Sequence, residues 1–216
     1  MDNLLEPLRS GNLVILGKRG SGKTTLALAA AAFRPAGLCI DTLGDADCGV
    51  PIDYNGLADL RGWSRLNVPG LTAGTAISPE TFATAAFFAV RKLAQAGHLP
   101  RPFTLLVDEA DMYGSAAYNS PALRELARYG RHWGVQYIIT ARRYAEIPKD
   151  WTSGADLILA GPSLDVQDAA FIRRLSAAHV EIWRYLRMPD FLGFSLDGAA
   201  IYRYDLIDDS IHARGV

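Results

Sequence analysis

One octapeptide constrains this chain more than anything else in it. Gly17-Lys18-Arg19-Gly20-Ser21-Gly22-Lys23-Thr24 fits GxxxxGK[ST] at every position. It follows a short apolar run, Asn12 to Leu16 (NLVIL), and opens an alanine-rich segment of helix composition from about Lys23 to Phe33. A strand, a glycine-rich turn and a helix in that order make an anion cradle. The glycines let the backbone turn tightly and aim its N–H groups inward, and the helix adds the positive end of its dipole. Gly17, Lys18, Arg19, Gly20, Ser21, Gly22, Lys23, Thr24 and Thr25 are therefore the candidate phosphate-binding residues. In this pattern Lys23 reaches the β- and γ-phosphates and the Thr24 hydroxyl ligates Mg²⁺, so the implied cofactors are ATP and Mg²⁺.

A second apolar strand ends in two carboxylates: Phe103 to Asp108 (FTLLVD), then Glu109. Asp108 at the strand tip is placed to hold a water on Mg²⁺. Glu109 is placed to orient and deprotonate an attacking water. A kinase that passes phosphate to a bound acceptor has no need of the second acid, so Asp-Glu favours hydrolysis over transfer. Thr140 ends the strand Val135 to Thr140 (VQYIIT). In a parallel sheet that strand lies between the phosphate-loop strand and the Asp108 strand, where a hydroxyl can sense the γ-phosphate.

Strands and helices alternate along the chain, which implies a mostly parallel sheet covered on both faces. Gly37 to Asp41 (GLCID) reads as a strand. About Thr42 to Ser78 reads as irregular, with one weak strand at Arg65 to Val68. Ser78 caps a strong helix to Gly97, and Ser120 caps another running to about Trp133. Asp156 to Ala160 (DLILA) is a fifth core strand, and Leu164 to about Leu186 is helical with a break near Ser176. Phe191 to Leu196, the turn Asp197-Gly198 and Ala200 to Tyr204 form a hairpin that adds antiparallel strands at an edge. The expected fold class is α/β, a RecA-like P-loop NTPase core with a C-terminal antiparallel hairpin. No Pro/Gly/Ser linker divides the 216 residues, so one domain over 1–216 is expected.

Half the residues are apolar and 21% are charged, enough to bury a core. The formal net charge of −1 excludes a globally basic surface. Nucleic-acid contact must come from local basic segments. Cys39 and Cys48 form no CxxC pair and read as reduced thiols. Met1 to Ser10 has neither a signal core nor a basic leader, and no run approaches a bilayer span, so a soluble protein with no transmembrane segment of its own is expected.

Two basic groupings invite functional readings. At 100° per residue, Arg124, Arg128 and Arg131 fall within about 60° on the helix after Ser120. Leu123, Leu126, Gly130 and Trp133 fall on another face and pack on the sheet. Such a stripe is commonly a solvated face. Its functional reading is a subunit boundary at which Arg131, or next Arg128, enters a neighbour's ATP site. Arg142, Arg143 and Lys149 cluster after Thr140 with Tyr144 and Trp151 nearby. Basic residues interleaved with aromatics can track a nucleic-acid backbone. Arg61 and Arg65 form a weaker grouping.

With these residues placed, the chain resembles the FtsK–HerA superfamily of DNA-pumping ATPases from about Asn12 to Tyr204. The likeness centres on Leu126 to Thr140 (LARYGRHWGVQYIIT), with Arg131, Gly134 and Thr140 on matching positions. The stretch from Tyr144 to Ala160 is also similar. The superfamily usually has Gln directly after the Ser/Thr, followed by Arg and often Pro; here Ala141 stands at the Gln position, followed by Arg142 and Arg143. The chain is close to a bare motor core, and so looks like the genome-packaging ATPases of tailless, membrane-containing double-stranded-DNA viruses. That resemblance implies an ATP hydrolase coupled to sequence-independent translocation of double-stranded DNA. It also implies a homo-hexameric ring, a capsid or membrane vertex protein as partner, and a place in the host cytoplasm or the virion. Two other readings compete: an ATPase of phage morphogenesis or secretion acting on protein, and a slow nucleotide-gated switch.

Overall fold

The structure is a computed structural model that describes residues 2–115, 118–142, 144, 147–163, 165–195, 198–205, 207–208 and 210–216. Ten strands make one sheet: β1 (Leu13–Leu16), β2 (Gly37–Asp41), β3 (Val50–Ile52), β4 (Trp63–Asn67), β5 (Phe103–Val107), β6 (Val135–Ala141), β7 (Leu157–Ala160), β8 (Phe191–Ser195), β9 (Gly198–Asp205) and β10 (Ser210–Gly215). Their spatial order is β10-β9-β8-β7-β1-β6-β5-β2-β4-β3. From β7 through β1 to β3 every pairing is parallel, and from β7 outward to β10 every pairing is antiparallel. The expected α/β architecture with an antiparallel C-terminal edge is the one found.

The helices are α1 (Asp2–Ser10), α2 (Lys23–Ala32), α3 (Val68–Thr72), α4 (Pro79–Gln95), α5 (Pro121–Tyr129), α6 (Lys149–Ser153), α7 (Val166–Leu175) and α8 (Val180–Tyr185). The central strands are apolar throughout because both of their faces are covered. Along β1, Leu13 and Ile15 enter one core with Leu26, Ala27 and Ala30 of α2. Val14 and Leu16 enter the other with α4, α5, α7 and α8. Burial on two faces explains why such strands read as continuous apolar runs. The helix predicted from Leu164 breaks at Ser176, as read, into α7 and α8.

Several elements escape the sequence reading. The stretch read as mostly irregular carries β3 and β4, which extend the parallel sheet past β2. β10 adds a third antiparallel edge strand beyond the hairpin. α1 packs Leu8 into the core beside α2, although Pro7 sits within its nine residues. Ser78 caps α4 as expected, accepting from the Thr81 amide at 3.3 Å. Ser120 stands at the N-cap position of α5, but its hydroxyl makes no capping bond. The hairpin turn was read at Asp197-Gly198; Asp197 and Leu196 lie outside the described residues.

The parallel order has one consequence for chemistry. β1, β6 and β5 lie side by side, so their C-terminal ends bring Gly17, Ala141 and Asp108 to one edge of the sheet. Ligands of open α/β sheets bind beyond that edge.

Candidate nucleotide site

The phosphate loop leaves β1 at Leu16 and enters α2 at Lys23. Gly17 is buried, and its amide donates to the Ala141 carbonyl at 3.1 Å, which ties the loop to β6. A Cβ at Gly17 would stand 2.5 Å from Ser21 Oγ, so no larger residue fits there without displacing the loop. Gly22, the N-cap of α2, has φ of 86°, in the left-handed region that favours glycine. The first-turn amides of α2 thus face the loop rather than a capping side chain, the arrangement an anion needs. Ser21 Oγ is buried and has no hydrogen-bond partner among the described residues. A phosphate oxygen would give it one. Lys18, Arg19 and Gly20 are exposed at the loop's tip, and Thr25 is exposed one residue into the helix after Thr24.

Beside this cradle two hydroxyls, one from α2 and one from β6, converge on one carboxylate. Thr24 Oγ1 donates to Asp108 Oδ1 at 3.0 Å, and Thr140 Oγ1 donates to the same oxygen at 2.6 Å. Thr140 Oγ1 in turn accepts from the Glu109 amide at 2.9 Å. Thr140 is fully buried, so its hydroxyl sits where β6 separates β1 from β5 and links Thr24, Asp108 and Glu109. Thr24 Oγ1 and Asp108 are oxygen donors on facing elements, the donor type Mg²⁺ takes. These residues fit the metal: Thr24 would bind it directly and Asp108 would hold its water.

Glu109 has φ of 51° and ψ of 48°, and is the one non-glycine residue with positive φ among those described. That backbone costs roughly 1–3 kcal/mol, and such strain persists where the surroundings over-determine it. Here the turn throws the carboxylate back toward the phosphate loop. Lys23 Nζ pairs with Glu109 Oε1 at 2.7 Å, with both side chains less than one-tenth exposed. Glu109 Oε2 accepts no hydrogen bond among the described residues although it is buried. Arg142 Nε lies 3.0 Å from it, but aims its N–H at Asp111 Oδ2, 2.8 Å away. Glu109 therefore keeps one oxygen able to accept from a water. A cavity of about 190 Å³ lined by Arg19, Leu43, Glu109, Met112 and Arg142 opens beside it.

Three residues at this edge were not anticipated. Thr42, one residue past β2, donates its hydroxyl to the Asp108 carbonyl and accepts from Tyr113 Oη at 2.8 Å. Burial pushes the Tyr113 phenol up to about 12, so it stays a donor. Asp41, at the end of β2, is fully buried; Oδ1 accepts from the Gly44 and Asp45 amides, while Oδ2 has no partner among the described residues. Burial raises its pKa. The signal was present in GLCID followed by Thr, another apolar strand ending in an acid and a hydroxyl.

The basic groupings fare differently. Leu123, Leu126 and Gly130 are buried and Trp133 half-buried, with Arg124, Arg128 and Arg131 outward, although α5 ends at Tyr129 and Arg131 stands on the tighter 3-10 turn Gly130–Trp133 that follows. The stripe is nevertheless committed within the chain. Arg128 pairs with Asp150 at 2.6 Å, and Arg131 pairs with Asp156. Arg131 precedes β6, so it lies at the opposite edge of the sheet from its own phosphate loop.

In the loop after β6, Tyr144 and Trp151 are buried, which corrects the reading of aromatics interleaved with exposed cations. The Tyr144 hydroxyl is spent on the Leu16 and Gly161 carbonyls. Among the described residues of that loop, no aromatic ring is exposed for base stacking. Arg142 turns into the site, Lys149 is exposed at the start of α6, and Arg143 lies outside the described residues. Arg61 pairs with Asp59 on the surface, while Arg65 binds the Ala46 carbonyl, so those two do not form a patch.

Comparison with known proteins agrees with this geometry at the level of fold. No protein-family model matches the chain, and no curated protein matches its sequence. Among solved structures it is similar to the genome packaging NTPase B204 of Sulfolobus turreted icosahedral virus 2 in complex with ATP-gammaS. The TM-score is 0.69 and identity 17%, over 95% of this chain and 97% of that one. B204 of Sulfolobus turreted icosahedral virus, described as a DNA-packaging ATPase, gives 0.67 and 16% over 96% and 98%. VirB4 of Thermoanaerobacter pseudethanolicus gives 0.60 and 13% over 87% of each chain. The structural neighbours are thus of the kind that the FtsK–HerA resemblance implied.

Lys23→Ala and Glu109→Gln separate binding from turnover. Lys23→Ala is expected to abolish hydrolysis, whereas Glu109→Gln retains ATP binding and loses at least about 100-fold in kcat, the scale of a general base. Fluorescent-nucleotide titration and phosphate release measure the two. Normal turnover in Glu109→Gln removes it from the assigned role.

Proposed function

We propose that this chain is an ATP-driven translocase of double-stranded DNA that packages a viral genome. The observation that carries the ATPase half is the convergence of Lys23, Thr24, Asp108, Glu109 and Thr140 at one sheet edge, with Glu109 Oε2 still able to accept. Bound Mg²⁺ would neutralise charge on the β- and γ-phosphates. Lys23 contributes a second positive charge there, and the loop amides position the chain of phosphates. Glu109 takes the proton of the attacking water, and Thr140 fixes the Glu109 amide and Asp108 together. The DNA half is supported by likeness over nearly the full length of two packaging ATPases.

Duplex rather than single-stranded DNA suits the surface. Burial of Tyr144 and Trp151 removes stacking partners for unpaired bases, and leaves cations that read only the backbone. Arg131 cannot reach its own nucleotide across the sheet, so a catalytic role for it requires a neighbour. A homo-hexameric ring provides one, in the host cytoplasm or virion, docked on a capsid or membrane vertex protein. No described helix is long and apolar enough to cross a membrane, so attachment there falls to that partner.

Duplex DNA of any sequence is expected to stimulate ATP hydrolysis. Replacing Arg142 with Arg143 by Ala lowers the slope of log affinity against log salt by about one to two, one per lost phosphate contact. An unchanged slope means the loop is merely solvated.

Ring action has its own test. Arg131→Ala binds ATP but hydrolyses it about 10³-fold more slowly, and mixing it with Lys23→Ala subunits restores part of the turnover. Mixed rings that stay inactive exclude Arg131 as a trans-acting group.

A further inference from the structure

After Thr140, at the end of β6, Ala141 stands where the superfamily it resembles usually has Gln, and Arg142 follows where that superfamily also has Arg. The structure gives Arg142 a specific position. Its Nε is 2.8 Å from Asp111 Oδ2 and 3.0 Å from Glu109 Oε2, so one guanidinium serves two carboxylates. Both carboxylates are over nine-tenths buried as side chains, while that of Arg142 is about half exposed. Asp111 Oδ1 has no hydrogen-bond partner among the described residues, so Arg142 is the cation that accounts for this acid's place in the site. Met112 sulfur lies 3.7 Å from the Nη2 end, which packs the planar group against the short helical turn after Glu109.

On its other oxygen Glu109 is held by Lys23. A carboxylate gripped by a cation on each side is held in place by charge, and is not free to swing toward a water above the γ-phosphate. ATP competes for Lys23, because its β- and γ-phosphates need that ammonium. Arg142 stands by the other oxygen of Glu109, so ATP's capture of Lys23 leaves that second contact in place. Something else must draw Arg142 away, and what a half-exposed guanidinium prefers over a shared carboxylate is a bidentate oxyanion such as a phosphodiester.

We propose that Arg142 is a positioning residue that restrains Glu109, and that a backbone phosphate of duplex DNA releases the restraint by taking the guanidinium. ATP then frees one side of Glu109 and DNA the other, so hydrolysis waits for both. This rests on the reading of Glu109 as the group that activates water and of duplex DNA as the cargo. It places the coupling of DNA to turnover on an arginine at a position two residues after Thr140.

The test is steady-state ATPase of the full chain with and without a blunt duplex of mixed sequence. Wild type, Arg142→Gln, Arg142→Lys and the double variant Arg142→Gln with Glu109→Gln are compared, with thermal melting as a control on folding. Without DNA, Arg142→Gln is expected to raise kcat by roughly three- to tenfold at unchanged KM for ATP, the scale of one partly exposed ion pair. Its stimulation by DNA falls toward one. Arg142→Lys keeps a charge near Glu109 and so raises the DNA-free rate less than Arg142→Gln, but DNA stimulates it less than wild type, because an ammonium cannot take a phosphate bidentately; the double variant is inactive, because the gain acts through Glu109. A well-folded Arg142→Gln whose DNA-free kcat is unchanged or lower overturns the restraint, while normal DNA stimulation of wild type would leave the cargo reading intact. A raised DNA-free rate in Arg142→Gln beside a wild type that duplex DNA does not stimulate supports the restraint and overturns DNA as its release.

Discussion

The ion pair between Lys23 and Glu109 is the constraint around which the site is arranged. Its two charges are 2.7 Å apart and almost entirely withdrawn from solvent. Such burial costs several kcal/mol per ion before attraction repays it, and a hydrophobic pair of equal volume is often no less stable. The pair is thus poorly explained as a device for stability alone. It is explained if the chain must keep a cation ready for phosphate and an anion ready for water within one dry pocket. Each neutralises the other until a nucleotide separates them.

The rest of the sheet edge serves that pair. β6 between β1 and β5 puts the Thr140 hydroxyl within reach of Asp108 and of the Glu109 amide at once. Thr42 and Tyr113 brace the Asp108 carbonyl from the β2 side, and the left-handed backbone of Glu109 returns its side chain to the loop. The opposite edge of the sheet has separate fastenings. Buried Arg34 donates to the Leu8 and Gly11 carbonyls, tying α1 to the end of α2, and Arg131 pairs with Asp156 ahead of β7. The candidate nucleotide site thus lies at one end of the strands and Arg131 at the other.

What could be read from the sequence follows from how local each signal is. The phosphate loop needs only contiguous residues, and the acidic strand end is visible because a strand of four apolar residues and one threonine leads directly into two acids. The position of β6 followed from parallel topology alone. Pairings across the sheet were not visible: Lys23 with Glu109 spans 86 positions in sequence, and Arg142 reaches back to Asp111. Tyr144 and Trp151 misled because an aromatic beside arginines looks the same in sequence whether it faces solvent or the core. β3 was missed because this edge strand is mostly exposed and carries Pro51, and β4, second from the edge, was half-read because its residues alternate between half-buried and buried and include Arg65. α1 is too short to hold by propensity, and is stable by packing against α2 and the sheet.

The most direct measurement is a crystal structure of the wild-type chain with Mg²⁺ and a non-hydrolysable ATP analogue. The account predicts that Lys23 Nζ leaves Glu109 for the β- and γ-phosphates, that Thr24 Oγ1 turns from Asp108 to the metal, and that Ser21 Oγ gains a partner. Nucleotide bound in the loop with Lys23 and Glu109 still paired at their present distance would contradict it.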